Sequence, residues 1–440
     1  AEAASAEAAR ADGAGELYIL HWIVLPLAMP AYVMAYLFVD FLQFSGPLQT
    51  MMRDSFGISS SLPDPRSLGG AIWTFSLCLY PYVYLVARTS FLDRSARLME
   101  AAETLGYSSV EAFIRLVLPM TRPAIFTGIA LALMEVLADF GAVSYFGLQT
   151  FATGIFKAWL SFGDRIAAVH LSLMLLAFVL IVFYWEQHNR SRQRYALGNT
   201  NTQPPIPKRL KGSHAFYASS FCGVTLFSAF ILPMWVLLHL LMSESFSIDP
   251  RYFSWLKNSL GLSALTAILA VICAIFLAYA ARLSESKILR GVNRVLTVGY
   301  ALPGAVLGVG ILSLMGLLDI AWFMSASVAV LIYAYLIRFL SSGLQSIETG
   351  LTRITPAMDG TAALLGAKPW EMIRRIHLPL LRRSVLTALL FVFVDVMKEL
   401  PATLVLRPFN TDTLAVMAYQ LARDERLGEA ALPSLALVVA

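Results

Sequence analysis

Glu135, Asp139, Asp395 and Glu399, with Lys398 beside the last, stand in stretches of this 440-residue chain that are otherwise apolar. Glu135 and Asp139 are four apart, as are Asp395 and Glu399, so each pair is expected on one helical face. An ionisable side chain deep in a bilayer costs about 2.5–3.5 kcal/mol or more, so such groups face a cavity or each other. Two chemistries fit. The carboxylates could line or gate a translocation path, where their oxygens suit a hard cation. Alternatively, Lys398 pairs with a carboxylate across helices and fixes the packing. The six His show no ligand spacing, and Cys78, Cys222 and Cys273 lie in apolar segments, so no metal site is expected. A phosphate-binding Gly-Lys-Ser/Thr loop is absent from the sequence, so the chain is not expected to hydrolyse ATP. Nor does any constellation suggest a membrane-bound enzyme.

A second pattern lies outside the apolar stretches. Glu100-Ala101-Ala102, Gly106 and Leu118-Pro119 are echoed by Ala362, Gly366 and Leu378-Pro379, at a constant offset of 260 residues. The register continues through Glu111 and Glu371, Arg115 and Arg375, Glu135 and Asp395, and Asp139 and Glu399. Ser108-Ser109-Val110-Glu111 reads as a capping box, and Pro369 with Glu371 opens the second copy's helix by another route. Each loop should therefore be a helix up to the glycine, a turn, then a short helix ending near the Leu-Pro. Gly106 and Gly366 suit the turn, because a positive φ is cheap for glycine alone. Val110 with Phe113, and Trp370 with Ile373, are spaced i, i+3 and make an apolar stripe on a basic element, a form that fits a partner's groove.

The elements that hold these residues are membrane helices. The chain is 58% hydrophobic and 14% charged, against about 25% charged in a soluble domain. Spans are expected at 17–39, 68–87, 123–146, 167–185, 216–242, 259–280, 296–317, 326–345 and 384–404, with a tenth from Leu432 cut at Ala440. One set of alternate loops collects 21 Lys and Arg and the other 9, which makes both repeated loops cytoplasmic. That bias accounts for the net charge of +5 without a nucleic-acid partner. Residues 1–16 lack the basic start and apolar core of a signal peptide.

Six spans separate the loops. An even number gives both copies one orientation, so the fold expected is an all-α polytopic membrane protein of two parallel repeats, related by a pseudo-twofold axis along the membrane normal. The halves are expected at 1–188 and 216–440, the latter with a core from about 255. A Pro-rich basic cytoplasmic linker at 189–215 joins them. The second half has room for six helices and the first shows four, so two are expected to be missing ahead of Leu17.

Glu100-Ala101-Ala102, Gly106, Leu116, Leu118 and Pro119 resemble the signature loop of binding-protein-dependent ABC importer permeases. The second copy keeps Ala362, Gly366, Ile376, Leu378 and Pro379 but has Gly360 and Thr361 where the first has Glu and Ala. The two fused halves, with Leu137-Ala138-Asp139-Phe140-Gly141 and the run from Val392 to Leu406, look like the ferric-iron importer permeases. The resemblance implies the type I importer fold and a coupling helix in each loop, seated in a cleft of an ATP-hydrolysing subunit. Two copies of that ATPase would hold the ATP and Mg²⁺, leaving this chain without a cofactor. A periplasmic binding protein would deliver ferric iron to the outward loops 40–67, 147–166 and 405–430. The setting is the bacterial inner membrane. Permeases for thiamine, phosphate, sulfate or polyamine are the nearest alternatives. An ion-gradient-driven secondary transporter would explain the carboxylates but not the paired loops.

Overall fold

A helix satisfies its own backbone groups, which is why long apolar runs adopt it in lipid. The computed structural model describes residues 22–57, 63–196, 212–243, 249–284, 287–318, 327–352, 354–366 and 368–440, and every regular element among them is helical. Among the described residues six helices are long and apolar enough to cross a membrane: Leu68–Phe91, Val110–Ala138, Arg165–Asn189, Ser213–Met242, Tyr252–Arg282 and Val328–Leu351. Each overlaps an expected span.

The chain divides into two units that interleave in sequence. One is built from Ala1–Gln149 and Phe178–Phe246, the other from Thr150–Ala177 and Ser247–Ala440. In the first, a 3₁₀ turn at Leu25–Ala28 leads to α1 (Ala31–Leu42), followed by α2 (Leu68–Thr104), α3 (Leu118–Ala138) and α4 (Gly141–Tyr145). Helix α2 packs along α3, and α1 packs on α4. The α2–α3 crossing is close because Gly128 has no side chain: a Cβ there would lie 2.7 Å from Val83 Cα. Next along the chain come α5 (Phe151–Phe156), which belongs to the second unit, and α6 (Arg165–Ala196), which passes from the second unit into the first at Phe178 and runs past residue 189 into the expected linker. Residues 197–211 of that linker lie outside the described residues. Helices α7 (Ser213–Leu226) and α8 (Leu232–Ser243) join through a π turn.

The second unit repeats the pattern. Helices α9 (Tyr252–Ser284) and α10 (Lys287–Leu296) lead to a 3₁₀ turn at Thr297–Ala301. Then follow α11 (Gly304–Leu317), α12 (Val328–Leu351), α13 (Pro356–Leu364), α14 (Leu378–Lys398) and α15 (Pro401–Leu406), and finally α16 (Leu414–Arg423) and α17 (Leu427–Val439). Here α12 packs against α14, α9 against both, and α11 against α15. An apolar core fills their junction around Leu262, Leu331, Tyr335, Val392 and Val396.

Four expected spans are broken rather than straight. Pro30 and Pro303, in extended conformation, cap α1 and α11 and separate them from the preceding 3₁₀ turns. Residues 17–21 of the first such span lie outside the described residues. In the second unit, Gly291–Ala301 and Gly304–Leu317 meet at 114°. Helix α3 stops at Ala138 and α14 at Lys398, and a new helix opens after two intervening residues, at Gly141 and at Pro401. Asp139 and Glu399 are extended, with ψ of 135° and 117°. The expectation that each shares a helical face with the carboxylate four residues earlier is therefore corrected. The helix has already ended, at Ala138 and at Lys398.

Two of the three glycines at the start of α11 permit close helix packing. A Cβ on Gly304 would sit 2.8 Å from Ala402 N, and one on Gly308 2.8 Å from Val405 Cβ, whereas Gly310 has nothing within 4 Å. Overpacking costs about 1–3 kcal/mol. Gly308→Leu should therefore lower the unfolding midpoint of the purified protein in detergent, while Gly310→Ala should leave it unchanged or slightly raised.

Candidate functional site

Each repeated loop is a reversal built on a left-handed glycine. After α2, Tyr107 N–H returns to Ala102 carbonyl at 3.0 Å, and Gly106 takes φ +81°. This closes the helix end in the form that needs glycine at that position. Ser108 then receives Glu111 N–H on Oγ at 3.3 Å, while its own N–H donates to Glu111 Oε2 at 3.3 Å, the expected capping box. In the second copy Gly366 takes φ +80°, and Lys368 N–H donates to Glu371 Oε2 at 3.1 Å ahead of Pro369.

The short helices do not end at the Leu-Pro pairs. They pass through π turns, Phe113–Val117 and Ile373–His377, directly into α3 and α14. Leu118 N–H donates to Phe113 carbonyl and Leu378 N–H to Ile373 carbonyl, five residues back. Pro119 and Pro379 have no N–H for the carbonyl four back, and their rings would clash with it. One widened turn moves that carbonyl aside while the chain stays helical.

Around the glycines the surface is apolar. Leu105 and Leu365 occupy matching positions at 74% and 83% exposure, and Val110 is 68% exposed. Phe113 is partly exposed, its ring stacked on Phe91 at 5.9 Å. Ile373, expected on the presented stripe, is instead half-buried against the cluster that holds Ala278, Tyr279 and Ile347. Ala102 and Ala362 are buried under their loops, Leu118 and Pro119 are half-buried, and Leu378 and Pro379 are exposed. The side chains of Glu100, Ala101 and Trp370 lie outside the described residues.

The second loop carries a strap that the first does not repeat in register. Asp359, beside Gly360, receives Arg282 Nε and Nη2 at 3.1 and 2.6 Å on one oxygen. Its other oxygen meets His377 Nε2 at 2.7 Å. Arg282 also donates to the carbonyls of Leu351 and Ile354 at 2.9 Å each, and Tyr279 stacks on the His377 ring. Burial pushes the Asp359 carboxyl up, but Arg282 and His377 outweigh it and hold it below the usual carboxylate range. Asp359 is thus ionised at neutral pH. At the matching positions in the first copy stand Met99 and Val117.

At the helix breaks the carboxylates do the same work in both units. Asp139 Oδ1 accepts from the N–H groups of Ala142 and Val143 at 2.9 and 3.1 Å, and Glu399 Oε1 accepts from Ala402 N–H at 3.0 Å. Beyond that the units differ. Glu399 Oε2 also meets Arg338 Nη1 at 2.5 Å, both side chains being buried. Gly304 lies against this pair, and Tyr335 and Thr403 hydroxyls bond at 2.7 Å nearby. In the first unit Cys78 stands where α12 has Arg338 and donates to Met29 carbonyl at 3.5 Å. Glu135, Asp395 and Lys398 are half-buried in the turn before each break. Among the described residues no three His, Cys, Asp or Glu side chains converge as a metal site would need.

Two fused copies of one loop-and-break unit call for a family built on that unit. The family described as binding-protein-dependent transport system inner membrane component matches residues 66–195 and again 268–440, each stretch holding one loop and one break. The chain belongs to this family. It is a multi-pass permease subunit of an ABC importer, with both membrane halves in one polypeptide. The permease is 29% identical over 378 residues to the Fe(3+)-transport system permease protein FbpB 2 of Haemophilus influenzae, covering 84% of this chain and 74% of that one. It is 27% identical to the putative 2-aminoethylphosphonate transport system permease protein PhnV of Salmonella typhimurium over 42% of this chain and 68% of that one. With the molybdenum transport system permease protein ModB of Haemophilus influenzae it shares 30% over 31% of this chain and 58% of that one.

Sequence reasoning missed the permease's Arg338, Arg282 and His377. Arg338 could have been found: a lone Arg inside an expected span demands an acidic partner, and Glu399 was already in view. His377 gave no such signal, because only the fold brings it beside Asp359.

The two break carboxylates should differ in cost. Asp139→Ala removes a cap, worth about 0.5–2 kcal/mol. Glu399→Ala also takes a carboxylate away from the buried Arg338, and removing one partner of a buried pair costs up to roughly 3–5 kcal/mol. Unfolding in detergent should show the larger loss for Glu399→Ala, partly recovered by adding Arg338→Met.

Proposed function

We propose that the chain is the membrane subunit of a bacterial inner-membrane importer of ferric iron, powered by two copies of a separate ATPase. The observation that carries the docking part is the pair of loops, each with a left-handed glycine, a capped short helix and exposed leucine. Val110, Phe113 and Trp370 are the side chains we assign to the ATPase clefts, with Leu105 and Leu365 beside them. Ferric iron is supported by the relative that matches across both halves and carries that cargo in its name. The phosphonate and molybdenum relatives match a smaller share of the chain. A periplasmic binding protein would hand the ion to the outward loops 40–67, 147–166 and 405–430.

In this reading, closure of the ATPase pair pushes the short helices. The π turns carry the push into α3 and α14 without a joint, and the motion arrives at the breaks after Ala138 and Lys398. A stroke delivered there favours an outward-open state by differential interaction, as alternating access requires. Asp139 and Glu399, with Glu135, Asp395 and Lys398 one turn below, act as gating residues that hold the broken helices in register.

The test is uptake by proteoliposomes holding the permease, its ATPase and its binding protein. Radioactive ferric iron should accumulate with ATP, and molybdate and 2-aminoethylphosphonate should not. A left-handed conformation costs a β-branched residue roughly 1–2 kcal/mol, so Gly106→Val and Gly366→Val should cut uptake while leaving ATP hydrolysis and membrane insertion largely intact. Unaltered uptake in both variants would sink the docking proposal. Uptake of either anion in place of iron would reassign the cargo alone.

A further inference from the structure

Helix α10 is built with three different sides. It is ten residues long, so at about 1.5 Å per residue it reaches only half the thickness of a bilayer core. It also runs across the direction of α11, given the 114° bend between them. Ile288, Val292 and Val295, spaced i, i+4, i+7, form one stripe, with Ile288 and Val295 at 78% and 70% exposure. Asn293 is buried and donates Nδ2 to Glu348 Oε1 of α12 at 3.2 Å, which fixes the rotation of the helix against the protein. Lys287, Arg290 and Arg294 are spaced i, i+3, i+7 and share a separate face of the helical register.

A helix with an apolar stripe on one face and three cations on another fits neither water nor the bilayer core. It fits the boundary between them, where the stripe enters the acyl chains and the cations meet headgroups. The connection between α9 and α11 lies on the Lys/Arg-rich side of the membrane, where the lipid surface is negative and attracts basic segments. We propose that α10 is an interfacial helix that sinks Ile288, Val292 and Val295 into the cytoplasmic leaflet and binds anionic phospholipid headgroups through Lys287, Arg290 and Arg294. Through Asn293 and Glu348 this contact reaches the last turn of α12, whose Leu351 carbonyl is tied to Arg282 at the root of the second coupling loop. The surface does not depend on which ion the permease carries.

The experiment uses the full chain with Cys78, Cys222 and Cys273 replaced and an environment-sensitive fluorophore on Val295→Cys. The protein is reconstituted in vesicles containing either doxyl-labelled phosphatidylglycerol or doxyl-labelled phosphatidylcholine at equal mole fraction. The anionic quencher should act several-fold more strongly than the zwitterionic one. In a Lys287→Gln/Arg290→Gln/Arg294→Gln variant the ratio should fall to about one, and Arg290→Lys/Arg294→Lys should preserve it. Monodisperse elution would show that both variants remain folded. Equal quenching by the two lipids in the unsubstituted protein overturns the headgroup assignment. A label that neither lipid quenches overturns the interfacial placement, and one shielded from lipid by added ATPase assigns the stripe to that protein instead.

Discussion

Where a helix stops inside a membrane, the first N–H groups of the next helix have no water to turn to. A group left unsatisfied there costs several kcal/mol. Asp139 and Glu399 answer that constraint by folding back onto the amides of Ala142, Val143 and Ala402. Without them the breaks after α3 and α14 would be untenable, and two straight helices would leave no place for α4 and α15 to pack against α1 and α11. The carboxylates are thus structural before they are anything else. Lining a path is compatible with that duty, since each spends only part of its acceptor capacity on the backbone.

The same device is finished differently in the two halves. Glu399 is one methylene longer than Asp139, and that reach allows its second oxygen to meet Arg338 while the first still caps α15. Cys78 in the matching place asks for no counter-charge and merely donates to a carbonyl. Duplication supplied one scaffold, and each copy then neutralised its break in its own way. The Gly360 that departs from the loop signature belongs to this divergence. The neighbouring Asp359 carries the acid of that loop and turns it inward to Arg282 and His377.

Local rules carried the sequence reading far. Helical class, the six continuous spans, the left-handed Gly106 and Gly366, and the Ser108–Glu111 box all follow from composition, spacing or a turn's demand for glycine. Relationships between distant residues were less accessible. Hydropathy alone treats 123–146 and 384–404 as unbroken, because a break costs no apolar residues; only Pro401 hinted at one. Pro119 and Pro379 read as helix ends, yet a π turn lets a helix pass a proline. Ile373 reads as the partner of Trp370 on a presented face, but packing against Tyr279 and Ile347 turns it inward. The shape of the two repeated loops was therefore legible in outline, and the Asp359 strap and the Arg338–Glu399 pair emerged only in three dimensions.

The fastening of the two loops has a mechanical corollary. Phe113 rests on Phe91 through stacked rings, a contact that can slide with little change in energy. Asp359 is held by directional hydrogen bonds to Arg282, its ion-pair partner, and to His377, and these must break before they can shift. Equal strokes applied to both loops would therefore meet unequal compliance: the first would yield and the second would resist until it gave way abruptly. A chain with both halves fused can make use of that difference, because the soft and the stiff arm are always paired in the same molecule. Such a chain would have a built-in order of movement even under identical pushes on its two loops.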